Sequence, residues 1–412
     1  MENFEEYATY FVQEIGSKEG AVSPVITQSA SFGYGDSKTG EGIFDGSVKK
    51  PLYSRVGNPT SAKLENILAK MDGGVGAIST SSGMAATTLA VMSIVSSGDE
   101  IISIGGLFGG TYALFTETLS RFGVSTSFFD VDELQAIEEA ITENTKIIFL
   151  ESVGNPNMRL PDIKAIGDIA TKHGVVLIVD NTITPMSVKP LELGADIAVY
   201  STTKIISGNA SVLGGAAVFR EINVEGGDKF KTERYKDIHK FIDKMGKMAL
   251  IPNAKKRAMR DFGMSASAFS SYLTMLGMET LPLRMDRIVS SVEKVAIALD
   301  KEGLTINHPC LAAHPHHTRY KKDFSLGCGT LLTIDMGSKE KAFAFLDKTK
   351  LPTITANIGD SRTLALHMAS TIYSDFDEEQ KNFLGITPGL IRVSIGLENP
   401  DDIIKDFLQA VK

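Results

Sequence analysis

Residues 174–204 read GVVLIVDNTITPMSVKPLELGADIAVYSTTK and hold two short apolar, β-branched runs. Asp180 closes the first run, whereas Ser201, Thr203 and Lys204 follow the second. Continuous apolar runs of this length between helical segments are typical of parallel strands covered on both faces. This stretch therefore predicts an α/β fold whose sheet carries polar side chains at the carboxyl ends of its strands.

The flanking sequence continues the same alternation. Apolar runs recur at 100–104 and 146–152, and the segments NPTSAKLENILAKMDGG and SSGMAATTLAVMSIVSSGD have helical spacing. We predict a large α/β domain with a mostly parallel sheet over residues 58–283 and a smaller α+β domain over 284–412. Residues 1–57 mix apolar side chains with turn formers, which indicates an N-terminal arm packed on a neighbouring subunit.

Composition narrows the class of protein. The chain has 412 residues, 43% hydrophobic and 22% charged, as in ordinary globular proteins. A net charge of −8 argues against a nucleic acid or an anionic membrane as partner. Two cysteines make no disulfide framework, and we see neither a signal peptide nor a long apolar run. We therefore expect a cytoplasmic protein.

The strand ends predict the chemistry. In open α/β sheets ligands gather beyond the carboxyl ends of the strands, so Asp180 and Lys204 should face one cleft. Pyridoxal 5′-phosphate (PLP) suits both, because its aldehyde forms a Schiff base with a lysine and its ring nitrogen pairs with an aspartate. Ser201 and Thr203 would donate to its phosphate. Taken singly, Lys204 is more often a solvated surface lysine and Asp180 more often a helix-capping aspartate. Only the two together favour a cofactor site.

A second phosphate site is predicted at TSSGMAATT. Gly83 and Met84 open a helix there, where free N–H groups and the positive end of the helix dipole favour an anion. A Ser-Gly helix start alone is more often plain capping. The loop GGLFGGT, residues 105–111, fits neither common nucleotide-binding pattern.

Several motifs carry a family resemblance. YSRVGNPT, TSSGMAA, LFGGTYALF, ESVGNPN, IVDNT, LELGAD, STTK and LIRVSIGLEN occur in the order seen in PLP enzymes of cysteine and methionine metabolism. The chain resembles this family over nearly its whole length. The family includes cystathionine γ-synthase, cystathionine lyases, methionine γ-lyase and O-acetylhomoserine sulfhydrylase. The resemblance implies the aspartate aminotransferase-like fold of PLP enzymes (fold type I), with a homotetramer built as a dimer of dimers.

The resemblance also implies roles for individual residues. Lys204 would hold the cofactor, Arg392 would bind the substrate α-carboxylate with Asn357 nearby, and Tyr53 would share in catalysis from the neighbouring subunit. The implied cofactor-binding residues are Lys204, Asp180, Ser201, Thr203, Gly83, Met84, Phe108, Asn155, Tyr53 and Arg55.

Three positions depart from the family pattern. Phe108 stands where a tyrosine usually stacks on the cofactor, so acid–base work should fall to Lys204, Tyr53 or Tyr112. Ile205 and Asn209 replace the usual tyrosine and histidine beside the lysine. These two changes put fine positioning in doubt and leave cofactor binding intact.

Within the family, three features favour an O-acetylhomoserine sulfhydrylase. A polar insertion follows Gly215, the loop SGNASVLGG ends in two glycines, and Gly110 lies where methionine γ-lyases often carry cysteine. Cystathionine γ-synthase or a γ-eliminating enzyme is the alternative, and a non-catalytic PLP-binding relative the remote one. The acyl group, acetyl or succinyl, and the sulfur donor, whether sulfide, thiol or a sulfur-carrier protein, stay open.

Two clusters invite other interpretations. HPCLAAHPHH, residues 308–317, gathers four histidines and a cysteine, but its irregular spacing predicts a surface loop and no metal site. The basic stretch within residues 228–260 is expected to be a solvated helical face.

Overall fold

A computed structural model describes residues 1–16 and 20–412. In these ranges the α-helices are α1 Phe4–Ile15, α2 Ser37–Asp45, α3 Pro59–Met71, α4 Gly83–Met92, α5 Gly109–Ala113, α6 Leu134–Glu139, α7 Ile163–Lys172, α8 Lys236–Met245, α9 Leu250–Ala254, α10 Arg260–Phe262, α11 Ala268–Glu279, α12 Leu281–Lys301, α13 His317–Asp323, α14 Lys339–Lys348, α15 Glu378–Leu384 and α16 Pro400–Val411. The strands are β1 Gly76–Thr80, β2 Glu100–Ile104, β3 Ser125–Phe129, β4 Thr145–Glu151, β5 Val176–Asp180, β6 Ile197–Tyr200, β7 Gly215–Phe219, β8 Thr305–Asn307, β9 Leu331–Asp335, β10 Thr353–Ile354, β11 Leu364–His367 and β12 Leu390–Ser394. None of the helices in the described ranges is long and apolar enough to cross a membrane.

The larger sheet is the predicted mostly parallel one. Its seven strands lie in the order β1-β7-β6-β5-β4-β2-β3, and only β7 runs against its neighbours. Both faces are covered, because the side chains of β4, β5 and β6 alternate between one apolar cluster on the first face and two others on the second. The carboxyl ends of these three strands therefore meet at one edge, where the predicted polar residues lie.

The polar insertion after β7 packs against the large sheet. Its apolar side chains, including Phe230 and Phe241, join the same cluster as the β5 and β6 side chains. The fully buried carboxylate of Asp196 forms ion pairs with Arg220 at 2.6 Å and with Lys229 at 2.9 Å. These ion pairs tie the insertion to the sheet, so the basic stretch is anchored on one side rather than wholly solvated.

The smaller domain is built on a second sheet in the order β10-β11-β12-β9-β8. Only the β10–β11 pair is parallel. Helix α12 begins at Leu281, so the predicted boundary at residues 283/284 falls within its first turn. The α+β character of this part agrees with the sequence.

The N-terminal segment differs in part from the predicted arm. Helix α1 buries Tyr7, Phe11 and Ile15 completely and packs against α11 and α12 of its own chain. Most residues from 20 to 57 are exposed, and Phe44 keeps 73% of its surface accessible. Residues 17–19 of the predicted arm lie outside the described residues. Contact between the arm and a second subunit stays a prediction.

The histidine-rich segment is not the surface loop that the sequence predicted. His308 is 1% exposed and His316 is 5% exposed. The Leu160 N–H donates to His316 Nδ1 at 2.9 Å, and His316 Nε2 lies 3.1 Å from Asp132. These contacts join the two domains. Within the described ranges there is no cluster of His, Cys, Asp and Glu that could hold a metal.

Candidate active site

A cavity of about 210 Å³ opens at the carboxyl ends of β4, β5 and β6. It brings together most of the residues predicted to bind cofactor or substrate. Those lining it are Gly83, Met84, Phe108, Asn155, Asp180, Ser201, Thr203, Lys204 and Arg392.

Lys204 lies in the turn that follows β6. Its ammonium group donates to Asn357 Oδ1 at 2.7 Å, so the small domain reaches into the site. Burial, with a smaller effect of the positive charge of Arg392, lowers the pKa of Lys204 from 10.5 to about 8. A lysine with this pKa holds a usable fraction of neutral amine near physiological pH.

Arg284 stabilises the turn that carries Lys204. The Arg284 guanidinium donates to the carbonyls of Ile205 at 2.6 Å and Ile206 at 3.0 Å. The Ile205 side chain is buried in the apolar core, whereas Asn209 is exposed. The two departures from the family pattern therefore lie outside the cavity, at its back and at the surface.

Asp180 ends β5 and faces the cavity without a cationic partner among the described residues. The Thr182 N–H donates to its Oδ1 at 2.9 Å, while burial raises the pKa of Asp180 above its ordinary value. A buried carboxylate in this state is stabilised by a positively charged partner. A protonated ring nitrogen of PLP fits that requirement.

The start of α4 forms a cradle in the cavity wall, to which Gly83 and Met84 both contribute. Ser82 caps the helix by accepting the Ala85 N–H at 3.1 Å, which leaves the preceding N–H groups at the dipole end facing the cavity. A Cβ at Gly83 would stand 2.5 Å from Ser201 Cβ, so only glycine permits this approach. The Thr203 hydroxyl donates to the Gly214 carbonyl at 3.1 Å, a bond that phosphate would have to share.

The Phe108 ring lines the cavity and is 38% exposed. Its backbone N–H donates to Glu151 Oε1 at 2.6 Å. A Cβ at Gly110 would lie 2.7 Å from Phe108 Cε1, so this glycine gives the ring its room. Tyr112, the alternative acid–base residue, packs on Phe128 and Phe376 instead of lining the cavity.

Arg392 lies on β12 and is 3% exposed. Its guanidinium donates to Asn155 Oδ1 at 3.2 Å and to the Ala356 carbonyl at 2.9 Å. No carboxylate of residues 1–16 or 20–412 pairs with it, and burial lowers its pKa to about 10. A buried guanidinium in this state suits the carboxylate of a small ligand.

Tyr53 and Arg55 lie away from the Lys204 cavity of their own chain. They line a separate surface groove, where Arg55 lies 5.6 Å from the centre of the Tyr53 ring. The Arg55 guanidinium donates to the Arg260 carbonyl at 2.6 Å. Their predicted roles therefore require a second chain.

Two residues of the site were missed by the sequence reasoning. Glu151 ends β4 as Asp180 ends β5, so the same strand-end rule could have found it. Tyr373 is fully buried and donates to the Asn155 carbonyl at 3.1 Å. No local pattern signals Tyr373, because it follows β11 in the other domain and its contact is 218 residues distant in sequence.

Comparisons with known proteins find relatives over nearly the whole chain. The family model of Cys/Met metabolism PLP-dependent enzymes matches residues 8–412. O-Acetyl-L-homoserine sulfhydrylase of Leptospira meyeri is 35% identical, over 94% of this chain and 91% of that protein. The enzyme of the same name from Corynebacterium glutamicum is 36% identical, over 98% and 95%. The crystal structure of an O-acetylhomoserine (thiol)-lyase from Campylobacter jejuni, with N′-pyridoxyl-lysine-5′-monophosphate, superposes with a TM-score of 0.92 at 34% identity and covers 99% of each chain.

Proposed function

The chain belongs to the family of PLP-dependent enzymes of cysteine and methionine metabolism, and we propose that it is an O-acetylhomoserine sulfhydrylase. The reaction replaces the acetate group on Cγ of O-acetyl-L-homoserine with sulfur, so that sulfide as donor yields homocysteine and acetate. The observation that carries the proposal is the half-buried Lys204 amine, with Asp180 and Arg392 lining the same cavity.

Each group has a role that follows from its surroundings. PLP, when bound, acts as an electron sink for the charge that develops on the amino acid. Asp180 provides the negative charge that keeps the ring nitrogen protonated. Lys204 would hold the cofactor, and its neutral amine, which a pKa of about 8 makes accessible, would take the proton from Cα of the substrate.

Substrate orientation falls to the second domain. Arg392 binds the α-carboxylate through its guanidinium fork, and Asn155 lies against that fork. Asn357 accepts a hydrogen bond from Lys204 and keeps the amine inside the cavity. Phe108 provides an apolar surface for the cofactor ring and has no hydroxyl group that could move a proton.

We propose further that Tyr53 and Arg55 complete the site of a neighbouring subunit. Their separation from the Lys204 cavity and the exposure of residues 20–57 support this. A dimer of dimers, a cytoplasmic location and a sulfur-carrier protein as donor stay predictions.

The test is an assay of the purified protein. It would be given O-acetyl- and O-succinyl-homoserine, each with sulfide, cysteine or methanethiol, and all products would be measured. Homocysteine and acetate are expected from the acetyl substrate and sulfide, and both should vanish in Lys204→Ala. α-Ketobutyrate as the only product, whatever the sulfur donor, would contradict the proposal and indicate γ-elimination. No turnover of any acyl-homoserine would indicate a non-catalytic relative.

Subunit sharing has its own test. Lys204→Ala and Arg55→Ala are each expected to be inactive alone, and the two proteins are unfolded and refolded together. If Arg55 acts across subunits, a mixed dimer contains one site with both residues intact, so activity returns. Activity that stays absent in mixed dimers would place both residues in one chain's site.

A further inference from the structure

The cavity holds a second carboxyl group beside Asp180. Glu151 on β4 and Asp180 on β5 are direct partners in the parallel register of the sheet. Their side chains therefore leave the same face of the sheet at its carboxyl edge, and both line the cavity. Glu151 is 7% exposed. Glu151 takes no part in the roles given to Lys204, Asp180 and Arg392.

The two carboxyl groups have different surroundings. Burial raises the pKa of Glu151 well above its ordinary range, and the nearby Asp180 raises it further. Asp180 accepts hydrogen bonds from the backbone and side chain of Thr182, whereas Glu151 accepts one, from the Phe108 N–H. Two adjacent buried carboxyl groups do not both ionise, so the proton lies on Glu151.

The other titratable groups near this pair agree with that assignment. Burial raises the pKa of Tyr373 and so keeps its phenol neutral, and a negative charge on Glu151 would raise this pKa further. Arg392, whose guanidinium lines the same cavity, directs its donors to Asn155 and Ala356. In the described ranges no cation forms an ion pair with Glu151 that would keep it ionised.

Glu151 is also the anchor of the segment that carries the stacking ring. Phe108 stands between glycine pairs at 105–106 and 109–110. Glycine-rich backbone has little conformational preference of its own, so hydrogen bonds fix this segment. The Phe108 carbonyl accepts from the Thr111 and Tyr112 N–H groups, and one bond to a side chain holds the Phe108 N–H. The 2.6 Å bond from the Phe108 N–H to Glu151 Oε1 is that bond.

We propose that Glu151 acts in its protonated form as a positioning residue: it fixes the Phe108 backbone, and with it the ring that covers the cofactor, while Asp180 remains the sole carboxylate opposite the cofactor nitrogen. The inference rests on the cofactor site of the proposed function and does not depend on the substrate.

The experiment uses the full-length protein and four variants. Glu151→Gln keeps an acceptor for the Phe108 N–H and carries no charge; Glu151→Ala and Glu151→Met remove the acceptor, the second with little loss of volume. Glu143→Gln, at an exposed carboxylate just before β4, is the matched control. For each apoprotein the dissociation constant for PLP and the visible circular dichroism of the bound cofactor are measured.

We expect Glu151→Gln and the control to stay within about threefold of the parent dissociation constant and to keep the cofactor dichroism. Glu151→Ala and Glu151→Met should bind PLP about tenfold more weakly, with a weakened cofactor band. Equal damage in Glu151→Gln and Glu151→Met would show that an ionised carboxylate is needed and would overturn the proposal. So would parent-like binding and dichroism in Glu151→Met.

Folding and the overall function are controlled separately. If far-ultraviolet circular dichroism shows that Glu151→Ala is unfolded, the comparison of Glu151→Met with Glu151→Gln decides alone. A parent protein that binds PLP but makes no homocysteine would contradict the proposed reaction and leave the Glu151 comparison intact.

Discussion

Substituting Gly83 by alanine tests whether the start of α4 receives the cofactor phosphate. The added Cβ would lie 2.5 Å from Ser201 Cβ and 3.0 Å from Ser201 Cα. Ordinary contact begins near 3.4 Å, so the two segments must separate by about 0.9 Å. Ser201 follows β6 and cannot rotate out of the way, because the clash includes its Cα. The helix start and the strand end must therefore move apart.

The size of the effect follows from this displacement. Overpacking of a rigid site costs about 1–3 kcal/mol, and phosphate oxygens held by both segments lose their fit by a comparable amount. Each 1.4 kcal/mol is a factor of ten, so PLP should bind Gly83→Ala about 10- to 100-fold more weakly. Equilibrium dialysis of the apoprotein against PLP measures this directly, and pyridoxal without its phosphate measures what remains.

A matched glycine distinguishes this effect from a general change in stability. Gly227 has no atom within 4 Å of its would-be Cβ and has no left-handed backbone, so Gly227→Ala should bind PLP as the parent does. Pyridoxal should lose much less affinity than PLP in Gly83→Ala. Parent-like PLP binding by Gly83→Ala, or equal losses for PLP and pyridoxal, would refute the assignment of this cradle to phosphate.

Three further predictions concern the amine, the stacking ring and the insertion. Because the neutral amine attacks the aldehyde and the pKa of Lys204 is lowered to about 8, the rate of covalent PLP uptake by apoprotein should rise with pH and level off above pH 8, as stopped-flow absorbance would show. Gly110→Cys should displace the Phe108 ring, since even a Cβ would lie 2.7 Å from it, and should weaken the visible circular dichroism of bound PLP. Asp196→Asn leaves the buried Lys229 ammonium without its carboxylate partner and leaves Arg220 with Asp228 alone, so it should lower the free energy of unfolding by about 3 kcal/mol in urea titrations.

Each of these has an outcome that would contradict it. Uptake that keeps rising through pH 10 would mean that the Lys204 amine is not perturbed. An unchanged cofactor band in Gly110→Cys would mean that the ring can move at no cost. For the ion pair, Glu221→Gln is the control, because Glu221 pairs with Lys247 at the surface and should change stability by less than about 1 kcal/mol. Equal effects of the two substitutions would contradict the role given to burial.

The parts of this structure that the sequence predicts are those set by local pattern. Apolar runs gave β4, β5 and β6, and their ends placed Asp180 and Lys204 in one cavity. Helix α4 was predicted from the helical spacing of its apolar residues and from its Ser-Gly start. The antiparallel strand β7 was not, because a short buried run has the same appearance in either direction and its partners, β1 and β6, are fixed by the topology.

The residues that escaped prediction are those whose state depends on distant contacts. His308 and His316 look like surface histidines in a proline-rich segment, yet contacts with the large domain bury His316. Helix α1 has an amphipathic pattern, but only its packing on α12 distinguishes it from an arm on another chain. Local sequence carries no information about which surface covers such a face.

The active site shows why some residues could be predicted from local sequence and others could not. The positions of Lys204 and Asp180 follow from the strands that precede them. Asn357, which accepts the hydrogen bond of the Lys204 amine, lies in the other domain, 153 residues further along the chain. Arg392 meets Asn155 across a separation of 237 residues. Motifs therefore identify the groups that contact the cofactor, and the fold sets their charges: the lowered pKa of Lys204 depends on burial and on Arg392, neither of which is visible in STTK.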